Sequence, residues 1–185
     1  MTKKLMLFAA ALALAASAQA QLPGADKLKE KAAKAASQAA DAGDLAYKAG
    51  KEAFNKAVKD VPFAYNSAEL KLGDPKYSVV GVNLDEFVKK TLIPALVKVV
   101  ELAPADKQVT VTGHASRRGT EEPSGSFQGN TALSKARAEA LVKYLTENSS
   151  LPASRFKVVA AGSSQTLPDI DPGDEKNCRV SIMME

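Results

Sequence analysis

An arginine on the apolar face of a predicted helix is the residue with the clearest chemical potential. Residues 130–148 have helical periodicity, and Arg137 lies in the apolar stripe, four residues after Leu133 and four before Leu141. The guanidinium therefore points toward the protein body, where a charge is rarely left alone. Two hypotheses remain open. In the first, Arg137 has a structural role and either snorkels past the stripe or pairs with a carboxylate of its own domain. In the second, Arg137 receives the carboxylate of a ligand in a forked hydrogen bond.

Other side chains that could do chemistry lack the partners that chemistry needs. The single His114 has no His or Cys at metal-ligand spacing, and the single Cys178 cannot form an internal disulfide. Residues 169–174 are acidic but lack the spacing and the distal Glu of a calcium loop. The chain contains neither a Gly-x-Ser-x-Gly elbow nor a nucleotide-binding glycine pattern. We therefore expect a protein that is not an enzyme and that holds no cofactor or metal.

Arg137 is set in a chain of alternating strands and helices. The apolar residues of the first helix recur at helical spacing without a gap, and Pro94 is predicted to kink that helix. This alternation predicts one two-layer α/β domain (an α+β sandwich), with helices packed on a sheet, over residues 61–185. The predicted strands are residues 61–65, 108–113, 156–161 and 179–184, the helices are residues 84–103 and 130–148, and residues 162–177 form a loop.

The first twenty residues have the pattern of a secretory signal peptide. Lys3 and Lys4 precede an uncharged run at residues 5–16, and residues 17–20 end in an Ala-x-Ala exit. The apolar run is shorter than the roughly 20 residues that span a bilayer. We predict a signal peptide at residues 1–20 and no transmembrane segment in the mature chain.

The next forty residues are rich in Ala and Lys and poor in large apolar side chains. Residues 21–60 are predicted to form a helical arm, with a break near Gly43. The arm is interpreted either as a spacer or as a helix that docks on a partner or self-associates. The whole chain carries 25 Lys and Arg against 21 Asp and Glu, and this mixed charge argues against a nucleic-acid partner.

Five segments resemble, in the same order, motifs of the OmpA-like peptidoglycan-binding domain. Residues 130–138 are similar to its N-x-x-L-S-x-x-R-A helix, and residues 63–67 to its opening F-x-x-N-x-S strand. Residues 109–116 stand where the family has a strand and a G-[HY]-[TA]-D turn. Residues 160–165 and 177–180 are similar to its A-x-G-x-G-E loop and its N-R-R-V strand. The resemblance implies helices on a mixed sheet.

The resemblance also implies a ligand and the residues that hold it. In the family, an Arg at the position of Arg137 receives the carboxylate of the diamino acid in the peptidoglycan stem peptide, and an Asp receives its amine. Ser116 occupies the position of that Asp here, so the affinity for peptidoglycan is expected to be weakened. Glu121 or Glu122 of the long loop could supply the missing carboxylate. The expected peptidoglycan-binding residues are Arg137, Ser116, Asn66, Asn130, Ala115 and His114.

The resemblance places the mature protein in the periplasm, associated with the outer membrane or the cell wall. The expected function is non-catalytic binding of the stem peptide. The alternative is a degenerate OmpA-like scaffold that binds an envelope protein, or self-associates, through residues 21–60. The replacement of the family Asp by Ser116 keeps that alternative open.

Overall fold

A long helix opens the part of the chain that can be described. The computed structural model describes residues 25–185, so the predicted signal peptide lies outside the described residues. Helix α1 spans Ala25–Ala57 without interruption, and the break predicted near Gly43 is wrong. One glycine costs a helix only about 1 kcal/mol relative to alanine, and the flanking Ala and Lys residues are strong helix formers.

The described part of the chain divides into two units, with the boundary between Lys48 and Ala49. In the first, the described helix is almost entirely exposed, including Leu28 at 68% and Leu45 at 70%. Such a helix has little to bury by itself, as its thin apolar stripe predicts.

The last turns of α1 are built into the second unit. Phe54 is buried there, and the side chain of Asn55 donates to the carbonyl oxygen of Met184 at 3.1 Å. The Asn55 Oδ1 atom also accepts from the Met184 amide at 2.9 Å. The amide side chain thus satisfies both backbone groups of Met184, as a neighbouring strand would.

A four-stranded mixed sheet forms the centre of the second unit. Numbered by their place along the chain, its strands lie in the order β1 (61–62), β6 (179–184), β4 (109–113) and β5 (156–160). Strand β4 is parallel to β5 and antiparallel to β6, while β1 pairs antiparallel with β6. The two-layer α/β fold with helices on a mixed sheet is confirmed. The sheet strands are β1 (Val61–Pro62), β4 (Val109–Gly113), β5 (Phe156–Ala160) and β6 (Arg179–Met184).

The helix α4 (Asn130–Glu147) packs on β4 and β5 and carries Arg137. Val109 and Val111 of β4 are fully buried while the intervening threonines are half-buried, which confirms the alternation in the sequence. Leu133 and Leu141 of α4 are buried on the same core.

The first predicted helix of the domain is irregular ahead of Pro94. It consists of α2 (Leu84–Phe87), a π-helical turn (Val88–Leu92) and α3 (Ile93–Leu102). The amide of Ile93 donates to the carbonyl of Val88, five residues earlier. Because Pro94 has no N–H to donate, the widened turn is where the helix accommodates the ring.

A short hairpin ahead of α2 was not predicted. Strands β2 (Ser78–Val79) and β3 (Val82–Asn83) are joined by two residues with positive φ, +53° at Val80 and +76° at Gly81. Both strands are too short for an alternation pattern, and a β-branched residue rarely adopts positive φ. Local sequence therefore gave no signal for the turn.

Candidate functional site

The guanidinium of Arg137 is fully buried and held by three backbone carbonyls. Its Nε donates to the oxygen of Ser67 at 2.9 Å, its Nη1 to that of His114 at 2.8 Å, and its Nη2 to that of Ala64 at 2.8 Å. Two of the carbonyls belong to the segment after β1, and the third directly follows β4. The position of α4 on the sheet therefore fixes the position of the charge.

Within residues 25–185, Arg137 takes part in no ion pair with a carboxylate. Burial lowers the pKa of Arg137 from its ordinary value, because it disfavours the charged form. Carbonyl dipoles offset part of that cost, and the Phe63 ring lies 6.0 Å from the guanidinium carbon. Neither snorkelling nor pairing with an acid of its own domain describes this arginine.

A cleft of about 510 Å³ opens beside Arg137, within the usual range for small-ligand sites. Two arginines contribute to it, and no Asp or Glu does among the residues that the structure describes. Its lining is Tyr65, Asn66, Ala115, Ser116, Arg118, Gly119, Thr120, Ser124, Phe127, Asn130, Leu133, Arg137 and Cys178.

One wall of the cleft is an arginine stacked on a tyrosine. The guanidinium carbon of Arg118 lies 4.4 Å from the centre of the Tyr65 ring. The Tyr65 hydroxyl and the Arg118 Nε both donate to the carbonyl of Gly173, at 2.7 and 2.9 Å. A second cation is thereby fixed at the exposed rim of the cleft.

Five of the six residues expected at the site surround this one cleft. Asn66 is exposed, in a turn with φ of +47°, and Ala115 and Ser116 are buried at the end of β4. The Nδ2 of Asn130 donates to the carbonyls of Ser116 and Gly119, at 3.2 and 2.9 Å. Asn130 therefore fastens the loop that forms the cleft to the start of α4.

His114 contributes its backbone rather than its side chain. Its carbonyl holds Arg137, but its imidazole is 2% exposed, lies outside the cleft and contacts the Ser181 hydroxyl through Nε2 at 2.8 Å. The Nδ1 atom is buried without a hydrogen-bond partner among the described residues. Burial, with the nearby Arg179, lowers the pKa of His114 to about 4.

This buried imidazole predicts loss of stability in mild acid. Between pH 6.5 and 4, His114 is protonated in the unfolded chain but stays neutral in the native state. The free energy of unfolding therefore falls as the pH falls. Full linkage gives a loss of about 2 kcal/mol at pH 5, which partial solvent screening reduces to about 1 kcal/mol. Urea unfolding at pH 7 and pH 5 measures it. His114→Gln, which cannot take up the proton, should lose less, and an equal loss in both proteins would contradict this role.

The expectation that Glu121 or Glu122 replaces the family Asp is wrong. The Glu121 carboxylate accepts from the Ser163 amide at 3.0 Å, from the Ser163 hydroxyl in a short hydrogen bond, and from the Thr131 hydroxyl at 3.2 Å. Burial would raise the pKa of Glu121, but these hydrogen bonds outweigh it and the pKa is lowered. Glu121 thus joins the long loop to the loop after β5, and neither glutamate lines the cleft.

Sequence reasoning missed eight of the thirteen residues that line the cleft, and four of these have large or reactive side chains. Tyr65 and Cys178 lie in matched motifs but were assigned no role, and Arg118 and Phe127 lie in the loop that is longer than usual. The charge of Arg118 next to the strand end was the available signal.

The described residues form a two-layer α/β domain with a buried arginine beside a cleft whose lining, among those residues, includes no Asp or Glu. The family model described as the OmpA family matches residues 82–179, more than half of the 185 residues. The chain therefore belongs to the OmpA family.

Several solved structures are similar to this chain. The OmpA-like domain of FopA1 from Francisella tularensis is 26% identical, covers 68% of this chain and 72% of its own, and has a TM-score of 0.45. The peptidoglycan-associated lipoprotein from Burkholderia pseudomallei is 18% identical, with coverages of 70% and 92% and a TM-score of 0.49. The cell wall anchor of the T6SS from Pseudomonas aeruginosa is 24% identical, with coverages of 67% and 76% and a TM-score of 0.42.

No curated protein sequence matches the chain. In the part of the chain that the structure describes, every helix is too short or too polar to cross a membrane.

Proposed function

We propose that this protein is a non-catalytic component of the cell envelope that binds the peptidoglycan stem peptide in the cleft beside Arg137. The observation that carries the proposal is a fully buried guanidinium with no carboxylate partner in residues 25–185, at the edge of an open cleft. Membership of the OmpA family supports it. The predicted signal peptide at residues 1–20 supports a periplasmic location at the cell wall.

The arrangement of Arg137 suits it to receive a carboxylate. Three of its five N–H groups are engaged by carbonyls, which hold the planar fork in one orientation before any ligand arrives. Burial strengthens an ion pair formed there, because less water competes for the charge. The ligand carboxylate would supply the negative charge that the domain lacks, in a charge-assisted hydrogen bond.

The other polar groups of the cleft are suited to a peptide. Ser116 offers a hydroxyl, Asn66 a side-chain amide and Arg118 a second cation at the rim. Tyr65 and Phe127 provide apolar surface for the carbon skeleton between the polar groups.

Reversal of charge at Arg118 should weaken wall binding while the fold persists. Arg118 is exposed, so Arg118→Glu leaves the core intact and sets a negative charge where the ligand carboxylate approaches. We expect the fraction that sediments with purified sacculi to fall several-fold. The matched control is Arg117→Glu, which makes the same change at the neighbouring exposed residue outside the cleft.

The sedimentation assay distinguishes three cases: binding in the cleft, binding through general surface charge, and no binding. Loss with Arg118→Glu alone supports binding in the cleft. An equal loss of sedimentation with both variants indicates binding through general surface charge. If the unmutated protein fails to sediment with sacculi, the proposed function is wrong.

The exposed arm favours a second candidate function, a scaffold that recruits an envelope protein or a second copy of itself. Leu28 and Leu45 lie exposed on the described helix. A deletion that tests this candidate should end at Ala46, since Tyr47 is buried and Phe54 and Asn55 belong to the second unit. Loss of a stable oligomer or of a co-purifying partner on this deletion, without any sacculus binding, would favour the scaffold.

A further inference from the structure

The cleft carries positive charge, and its described lining offers no anionic side chain that could pair with a cationic ligand group. Arg137 and Arg118 both line it, and among the described residues its lining includes no carboxylate. The nearby acids are engaged elsewhere. Glu121 is bound by Ser163 and Thr131, and Glu175 by Lys76 at 2.8 Å and by the Tyr65 amide at 3.2 Å.

We infer that the cleft selects a stem peptide whose diamino acid has a free carboxylate and an acylated side-chain amine, the form present where two stems are cross-linked. The inference rests on the proposed function and names the substrate class of the same site. It follows from the charges of the cleft and from the neutral hydroxyl of Ser116.

A free ammonium group is poorly matched to this cleft. It would lose water on entry, gain no anionic partner, and lie near two guanidinium groups of the same sign. An acylated amine carries no charge, and its amide N–H can donate to a hydroxyl oxygen such as that of Ser116. The carboxylate then remains the only charge of the ligand head, and Arg137 and Arg118 both attract it.

The cleft also offers apolar surface to the acyl group itself. Tyr65, Phe127 and Leu133 contribute side chains to its lining. Its volume of about 510 Å³ can hold an acyl group in addition to the amino-acid head of the ligand. Gly119 permits the Phe127 ring to approach closely, because a Cβ there would lie 2.4 Å from Phe127 Cε1.

The test compares two synthetic peptides on the unmutated protein by calorimetry, with sacculus sedimentation measured in parallel. One is a γ-D-glutamyl-diaminopimelate peptide in which the side-chain amine of the diaminopimelate residue is free, and the other is the same peptide with that side-chain amine acetylated. We expect the acetylated peptide to bind at least about tenfold more tightly, a difference of about 1.4 kcal/mol.

The Ser116→Asp variant should reverse this preference. A carboxylate at position 116 supplies the partner that the ammonium lacks, so the free-amine peptide should gain about 30-fold or more, the lower range for a desolvated charge pair. Ser164→Asp is the matched control, because Ser164 is exposed and lies outside the cleft. It should leave the preference unchanged.

Each other outcome has a definite meaning. Equal or tighter binding of the free-amine peptide to the unmutated protein overturns the inference and leaves the proposed function standing. Sedimentation with sacculi but no binding of either peptide also overturns it, since the wall is then held through another group. Failure to sediment together with failure to bind both peptides overturns the inference and the proposed function alike.

Discussion

An Arg137→Ala protein is expected to lose sacculus binding completely and about 3 kcal/mol or more of its free energy of unfolding. The substitution removes the donor to three carbonyls, those of Ala64, Ser67 and His114, for which residues 25–185 offer no other. A carbonyl left without a donor costs about 1–3 kcal/mol where it is buried, and water from the cleft can recover part of that. Urea unfolding measures the stability, and sedimentation at a temperature where both proteins are folded measures the binding.

A variant that keeps the charge separates the two roles of Arg137. In Arg137→Lys the ammonium remains cationic and retains three donors, but it lacks the planar fork that serves several acceptors in fixed directions. We expect it to keep more of the stability than Arg137→Ala while its affinity for sacculi falls at least about tenfold. An Arg137→Ala protein that is folded and sediments like the unmutated one would rule out Arg137 as the carboxylate receptor.

The orientation of Arg137 was predictable from its sequence, but its partners were not. The spacing from Leu133 to Leu141 places it on the buried face of α4, and the structure confirms that it is fully buried. Its acceptors on the segment after β1 lie 70 and 73 residues away. Because every residue has a backbone carbonyl, the sequence does not indicate which carbonyls accept. The pairing of β1 with β6 and the packing of α4 on β4 and β5 bring Arg137 and its acceptors together.

The errors have physical causes of the same kind. Glu121 is acidic and lies in the long loop, which favours a role as a ligand carboxylate, but its hydrogen-bond partner Ser163 is 42 residues away and gives no local signal in the sequence. The break expected at Gly43 treated one residue as decisive, whereas helix propensity is summed over the 33 residues of α1. Strands with clear alternation, such as β4, were predicted to within one residue.

Gly113→Ala is expected to destabilise the second unit by about 3 kcal/mol, the upper end of the about 1–3 kcal/mol that overpacking usually costs. A Cβ on Gly113 would lie 1.8 Å from the carbonyl oxygen of Ser134 and 2.6 Å from its carbonyl carbon. Both are backbone atoms of α4, so no side-chain rotation relieves the clash and the helix must move away from β4. Urea unfolding measures the loss. Gly73→Ala is the control, because a Cβ there meets nothing within 4 Å.

The same contact connects the fold to the proposed site. Ser134 lies one helical turn before Arg137, and Gly113 directly precedes His114, whose carbonyl accepts from the arginine at 2.8 Å. The missing side chain of Gly113 therefore sets the distance between the helix that presents the charge and the strand end that orients it. In Gly113→Ala, binding to sacculi should be lost even where the protein remains folded. A Gly113→Ala protein of unchanged stability and unchanged binding would show that α4 can shift at little cost, and rigid holding of Arg137 could not then account for recognition.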